Sequence, residues 1–309
     1  MTNPNFNRNS TWQRPQTLKQ EDTLIAIAPS GTLRTPERLN KGLEVWRNRG
    51  YNVILQEDYN AREGYLAGND EVRRRALKEA WENPEYKAIL CVRGGYGAAR
   101  LLEQWQWQNI ESPKWLIGFS DITALLWSLC SEKIVGLHAP VLTTIAEEPD
   151  WSIDRLFTYL ETGEIAPLEG KGWGNCTATG RLLPANLTVA TNILNTPVCP
   201  DLDGVILAFE DVGEAPYRID RMLTQWRSSG FFDRVKGIAL GRFSGSEVDS
   251  SIPSWTVEQV LHDRLEDLSI PIVSDLLFGH DGVNACLPAG EQVNIDGDNG
   301  ILTFNNSFN

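Results

Sequence analysis

The stretch Lys114-Trp115-Leu116-Ile117-Gly118-Phe119-Ser120-Asp121-Ile122-Thr123 reads as a short buried strand and a sharp turn carrying one serine. A helix then runs through Ala124, Leu125, Leu126 and Leu129. A strand that feeds a helix through a tight turn is the repeating unit of α/β folds, so this stretch decides the fold class. It also raises a chemical question. A serine on such a turn stands clear of the strand's hydrogen-bond ladder, and free amides at the start of the next helix can meet a negative charge forming beside it. A serine that merely caps a helix fits the same letters.

Outward from this turn the pattern repeats. Leu24 to Ala28 is strand-like, Thr35-Pro36 supplies a cap and a first-turn proline, and Leu39, Leu43 and Trp46 line one face of a helix that ends at Gly50. Tyr51 to Leu55 resumes strand, Glu71 to Trp81 is helical, and Ala88 to Val92 is a buried run leading into Arg93-Gly94-Gly95-Tyr96-Gly97. Such alternation predicts a doubly wound parallel sheet covered by helices on both faces. From about Val141 to Gly180 the rhythm is lost, with Glu147 to Asp150 and Gly170 to Gly174 read as loops. A second α/β unit follows, with strands at Gly204 to Phe209 and Gly237 to Gly241 and a helix from Tyr217 to Ser229. The tail forms a hairpin around Asp296 to Gly300. The expected organisation is a flexible arm over 1–22, an N-terminal α/β domain over 23–165 and a smaller C-terminal α/β domain over 166–309.

Composition narrows the function. A formal net charge of -13 in 309 residues opposes binding to nucleic acid or an anionic membrane. The densest basic cluster, Arg73-Arg74-Arg75, falls on a helix and reads as a solvated outer face. Five dispersed cysteines without a C-x-x-C pair argue against a disulfide framework and a structural zinc site. With no apolar stretch long enough for a membrane span, a soluble cytoplasmic protein is expected.

The glycine loop after Val92 lacks the third glycine of a dinucleotide fingerprint, Arg100 standing in its place, and no phosphate-loop motif occurs, so no cofactor is expected. In a doubly wound sheet this loop and the Ser120 turn both leave strands at their carboxyl ends, where such folds bind ligands. Glycine amides there could complete an oxyanion hole with the amide of Asp121. A serine nucleophile needs a base, and the chain has three histidines. His262 lies off the apolar face of its helix and reads as solvated. His138, at a strand's carboxyl end, and His280, in a glycine-flanked loop, remain equal candidates. Glu210 closes a strand and suits the orienting acid. Asp211 and Glu214 suit the dipole of the following helix, and the Asp121 side chain suits a helix N-terminus.

Four blocks in this order, Arg93 to Gly97, Gly118-Phe119-Ser120-Asp121, Phe209 to Arg221 and Gly279-His280, together resemble the LD-carboxypeptidase family of serine peptidases, which trim murein tetrapeptides. Ile27-Ala28-Pro29-Ser30-Gly31 is similar to the family's first strand and turn, so the resemblance spans nearly the whole chain after the arm. It implies Ser120 as nucleophile, His280 as general base and then acid, and Glu210 as its orienting partner. The amides of Gly95 and Asp121 would form the oxyanion hole, and Arg93 and Tyr96 would contact substrate. His138 becomes a pocket or supporting residue. The implied fold is a flavodoxin-like domain carrying the serine and a smaller α/β domain carrying the acid and histidine. A homodimer and a small peptide substrate follow, with no metal or cofactor.

Two departures from the family pattern stand out. Pro184-Ala185 replaces the usual Gly-Gly before Asn186-Leu187, and Ala139 follows His138 where glycine is usual. Arg218 and Arg221 also lie in a motif block but read as pairing locally with Glu214 or Asp220. Two other functions compete: cleavage of a peptidyl-nucleotide antibiotic, with Trp173 as a nucleobase platform, and a non-catalytic ligand-binding module of amidotransferase-like fold.

Overall fold

A computed structural model describes residues 11–246 and 253–305. The first sheet is formed by β1 (Thr23–Ile27), β2 (Asn52–Leu55), β3 (Tyr86–Cys91), β4 (Trp115–Gly118) and β5 (Gly136–His138), all parallel, in the order β5-β4-β3-β1-β2. The connecting helices are α1 (Pro36–Asn48), α2 (Asp70–Glu82), α3 (Ala98–Leu101) and α4 (Thr123–Ser131). This is the flavodoxin-like strand order, in which β1 sends its successor to one side and β3 lies on the other. The crevice opens where the order reverses, between the turn after β1 and the loop after β3. There Gly31 N donates to Gly94 O at 3.2 Å.

After α5 (Asp150–Thr162) come β6 (Leu168–Glu169), β7 (Lys171–Gly172), β8 (Thr177–Asn186), α6 (Leu187–Ile193), β9 (Ile206–Val212), α7 (Pro216–Ser228), β10 (Gly237–Ser244), α8 (Val257–Leu265) and β11 (Ile272–Ser274). The chain closes with β12 (Leu287–Ala289), β13 (Gln292–Asp296) and β14 (Ile301–Phe304). The second sheet has the order β6-β14-β13-β8-β9-β10-β11-β7, with β8 to β11 parallel. β12 does not join it. It returns to the first sheet as an antiparallel edge on β5, Leu287 opposite His138, so the C-terminal part of the chain crosses the division expected near residue 165. No helix among the described residues is long and apolar enough to cross a membrane.

Several elements differ from the sequence reading, and within Gly170 to Gly174, read as a loop, Lys171–Gly172 forms the short strand β7 on β11. Glu147 to Asp150 is not simply a loop: Pro149 is the N-cap of α5 and Asp150 sits in its first turn, where a carboxylate favours the helix dipole. β8 was masked by Pro184, which pairs with Ala208 of β9 inside a central strand. Its missing N–H costs nothing there, because β13 pairs only as far as Arg181 and no acceptor strand continues beside Pro184. The arm is also not free from residue 11 onward. Gln13 exchanges backbone bonds with Lys133 and Val135, Leu18 is buried, and Trp115 Nε1 donates to Gln16 O at 2.8 Å. Residues 1–10 lie outside the described residues.

The two sheets meet through α4. Trp127 on this helix is fully buried, and its indole donates to Pro184 O at 3.0 Å. Thr123, at the start of the same helix, accepts from Asn186 N at 3.0 Å. The helix that follows Ser120 is thereby fastened to the end of β8, beside the strand that carries Glu210.

Candidate active site

The serine turn is strained. Phe119 is extended, and Ser120 then takes φ +64°, the left-handed region that costs a residue with a Cβ atom about 1–2 kcal/mol. No side-chain capping bond closes the turn or α4, so the capping role open to Ser120 from sequence is not the one it plays. Gly94 makes the close approach possible, since a Cβ there would lie 2.9 Å from Ser120 Cβ. Asp121 is buried, and its Oδ2 accepts from Ala98 N at 2.8 Å. It therefore serves a helix N-terminus as expected, though that of α3 rather than its own. Burial pushes its carboxyl up, while the Ser30 hydroxyl and the Ala98 amide oppose the rise.

On the other side, Glu210 is wholly buried near the end of β9, with Oε2 2.6 Å from His280 Nδ1. Burial raises the Glu210 carboxyl, and the bond to His280 pulls it back down. The contact fixes Nδ1 as the protonated nitrogen of the neutral ring and leaves Nε2 as the acceptor. His280 follows Gly279, whose φ of +139° turns the loop sharply. Gly279 N donates to Asn284 Oδ1 at 3.1 Å, and Asn284 N donates to Glu148 Oε2 at 2.8 Å. The loop is thus tied to the region before α5. The His280 ring centre lies 4.6 Å from that of Phe119, the residue before the serine. Phe119 thus links the His280 ring to the residue before the serine turn, and no hydrogen bond joins the Ser120 and His280 side chains among the described residues; in ligand-free sites such bonds often close only with substrate present.

His138 is fully buried, with Phe119 and Phe278 rings edge-on at 5.7 and 6.1 Å. Burial pushes its pKa down to about 3, aided by nearby His280. Neither nitrogen makes a hydrogen bond of ordinary geometry; the Asn284 carboxamide, whose Nδ2 is also left over, is the polar group beside it. His262, expected to be solvated, instead stacks on Trp173 with ring centres 4.0 Å apart. The Trp173 indole donates to Ser274 Oγ at 3.0 Å, so this face is already covered.

Arg93 Nη1 donates to Thr32 O at 2.8 Å, and among the described residues no carboxylate pairs with it. Burial and the neighbouring Arg34 hold its pKa below the usual arginine value. Tyr96 is exposed, edge-on to exposed Tyr65 at 5.7 Å. Arg218 pairs with Glu214 at 3.4 Å, as expected. Arg221 sits instead over the Tyr217 ring at 5.3 Å. Asp211 does not serve α7. It accepts from Thr188 N at 2.9 Å and from Asn186 Nδ2 at 3.0 Å, holding the start of α6. The largest correction concerns Arg73. It is buried and bonded to the carbonyls of Pro29, Gly68 and Gly97, while Arg75 remains exposed beside Asp58. A wide cleft of about 1200 Å³ between the arm and Lys114, at the amino ends of β3 and β4, contains none of these groups.

A strained serine at the carboxyl end of one sheet and an imidazole bonded to a buried carboxylate at that of the other are the kinds of group a serine hydrolase of α/β fold uses. Comparison with known proteins carries this further. Residues 25–139 match the LD-carboxypeptidase N-terminal domain, and residues 179–295 match the LD-carboxypeptidase C-terminal domain. "Putative carboxypeptidase slr1534" of Synechocystis sp. is 55% identical, the alignment covering 94% of this chain and 97% of that protein. The crystal structure of muramoyltetrapeptide carboxypeptidase from Oxalobacter formigenes superposes with a TM-score of 0.81 at 30% identity, covering 91% of this chain and 97% of that one. MccF in complex with glutamyl sulfamoyl guanosine shares the fold, with a TM-score of 0.85 at 21% identity over 94% of this chain and 97% of that one. The chain belongs to the LD-carboxypeptidase family.

Proposed function

We propose that the protein is a serine carboxypeptidase that releases a terminal D-alanine from murein tetrapeptides, with Ser120, His280 and Glu210 as its triad. Ser120 Oγ attacks the carbonyl carbon of the penultimate residue as His280 Nε2 takes the hydroxyl proton. The oxyanion that forms is met by the amides of Gly95 and Asp121, donors whose stabilisation grows as the charge develops. Collapse breaks the peptide bond, and His280 returns its proton to the D-alanine amine. Water, deprotonated by the same ring, then frees Ser120 from the acyl group. Glu210 steadies the imidazolium in both halves. Arg93, with which no carboxylate pairs among the described residues, is suited to the substrate's terminal carboxylate, and Tyr96 to its flank. Action on released wall peptides in the cytoplasm, by a homodimer, belongs to the same reading.

The observation that carries the proposal is the 2.6 Å Glu210–His280 contact with its imidazole set against Phe119, one residue from the strained serine. The test is incubation with a murein tetrapeptide and, separately, with an aminoacyl sulfamoyl adenylate. Free D-alanine appears in the first and no free nucleoside sulfamate in the second. Cleavage confined to the second substrate would overturn the choice of substrate.

A further inference from the structure

We propose that Arg73 is a positioning residue for the glycine loop that supplies the Gly95 amide, acting with the Asp121 side chain on a single peptide group; the inference rests on the serine mechanism above. Arg73 stands in the first turn of α2, with its side chain entirely withdrawn from solvent. Nη1 donates to Pro29 O at 2.5 Å and to Gly97 O at 2.8 Å, Nε donates to Gly68 O at 3.2 Å, and Nη2 meets Asp70. One guanidinium therefore joins the turn after β1, the loop before α2 and the glycine loop after β3.

The contact with Gly97 matters most. The carbonyl of Gly97 and the N–H of Ala98 belong to the same peptide group, and Asp121 Oδ2 holds that N–H at 2.8 Å. A cation grips one end of the peptide and an anion the other. The anion is the side chain of the residue directly after Ser120, whose own amide is the second oxyanion donor. Gly95 and Gly97 both have φ near +120°, a conformation reached without strain only by glycine, so the loop has little intrinsic stiffness. A clamp on both ends of its last peptide removes the freedom of that peptide to flip. It also ties the two oxyanion donors to each other. Gly97 leaves no room for an alternative: a Cβ there would lie 2.6 Å from Leu66 Cδ2 and 2.8 Å from Arg73 Nη1.

The charges around the guanidinium balance locally. Asp70 faces it from α2 and is also held by Arg100 Nη2 at 2.6 Å, while Asp121 faces it from the serine turn. Simple packing would not require this arrangement, since a buried ion pair adds little net stability over an apolar core. Three directed bonds from one side chain to three loops, with a fourth to Asp70 on its own helix, fit a demand for geometry.

The test compares Arg73→Lys, Arg73→Ala, Asp121→Ala and the double variant Arg73→Ala/Asp121→Ala. Arg73→Ala lowers kcat about 10²-fold, the order of losing one oxyanion donor, with KM within threefold. Arg73→Lys, which keeps the charge and part of the bonding and is the variant most secure in folding, falls between it and the wild type. Guanidinium ion, at concentrations far below those that unfold proteins, restores part of the Arg73→Ala rate. The double variant is no worse than the poorer single one, because both act on one peptide. Tetrapeptide affinity is the same in Ser120→Ala and Ser120→Ala/Arg73→Lys, and hydrogen exchange at the Ala98 amide speeds up in Arg73→Lys. Additive losses, an effect confined to KM, or unchanged Ala98 exchange would overturn the proposal. A wild-type protein inert toward tetrapeptide would instead count against the proposed function, and the exchange measurement would still decide the clamp.

Discussion

In the proposed mechanism the parts that act around Ser120 are backbone amides, whereas those around His280 are side chains. The first region is shaped by a strained serine, positive-φ glycines and a carboxylate that grips a neighbouring peptide. The second depends on one buried carboxylate bonded to one ring, with the ring's loop fastened by Asn284. The difference teaches where each region is vulnerable. Geometry in the first fails when a backbone gains freedom, and chemistry in the second fails when a single polar atom is removed.

The contrast can be broken or sharpened by experiment. Ser120→Ala is expected to lower turnover by about 10⁴-fold or more while tetrapeptide still binds, as calorimetry on the variant would read. Retained turnover would remove the serine from the mechanism. Glu210→Gln keeps the shape of the acid but loses its charge, and about a 10³-fold fall in kcat is expected from steady-state rates. A loss below tenfold would mean that the second region does not depend on this one contact. Arg93→Met should raise KM about tenfold and leave kcat nearly unchanged, since it removes binding common to ground and transition states. A fall in kcat alone would move Arg93 from the substrate's tail to its reacting end.

The smallest effect concerns stability. His138 is held uncharged, with its pKa pushed down to about 3 by burial. A base depressed in the folded state contributes stability that is complete above its unfolded value, near 6.5, and is lost as pH falls toward the folded value. Between pH 7 and pH 5 the wild type should therefore lose about 1–2 kcal/mol that His138→Asn does not lose, as urea unfolding at both pH values would measure. Equal losses in the two proteins would mean that the ring is not kept neutral.

Much was legible along the chain because local chemistry determined it. The alternating elements from β1 to β4, the hairpin of β13 and β14, and the serine turn follow from patterning that no distant contact overrides. Arg73 shows the opposite case. Three successive arginines on a helix read as a wet face, and only the packing of α2 over the glycine loop reveals that the first of them points inward to three carbonyls. β8 was hidden for a similar reason, since a proline is admissible in a central strand only where the neighbouring strand has already ended.

The histidines mark the same boundary. Sequence periodicity alone left His138 and His280 equal, and the family resemblance favoured His280 through its motif. In the fold, His280 meets Glu210, while His138 is enclosed between two phenylalanine rings. Residue order by itself determined the fold class, the strand and helix sequence of the first sheet, and the family, because these rest on spacings of two to five residues and on short motifs. Tertiary structure alone decided which buried polar groups meet. Arg73 and Gly97 lie 24 positions apart in the chain and Glu210 and His280 lie 70 apart, and only close packing determines whether such groups share a hydrogen bond.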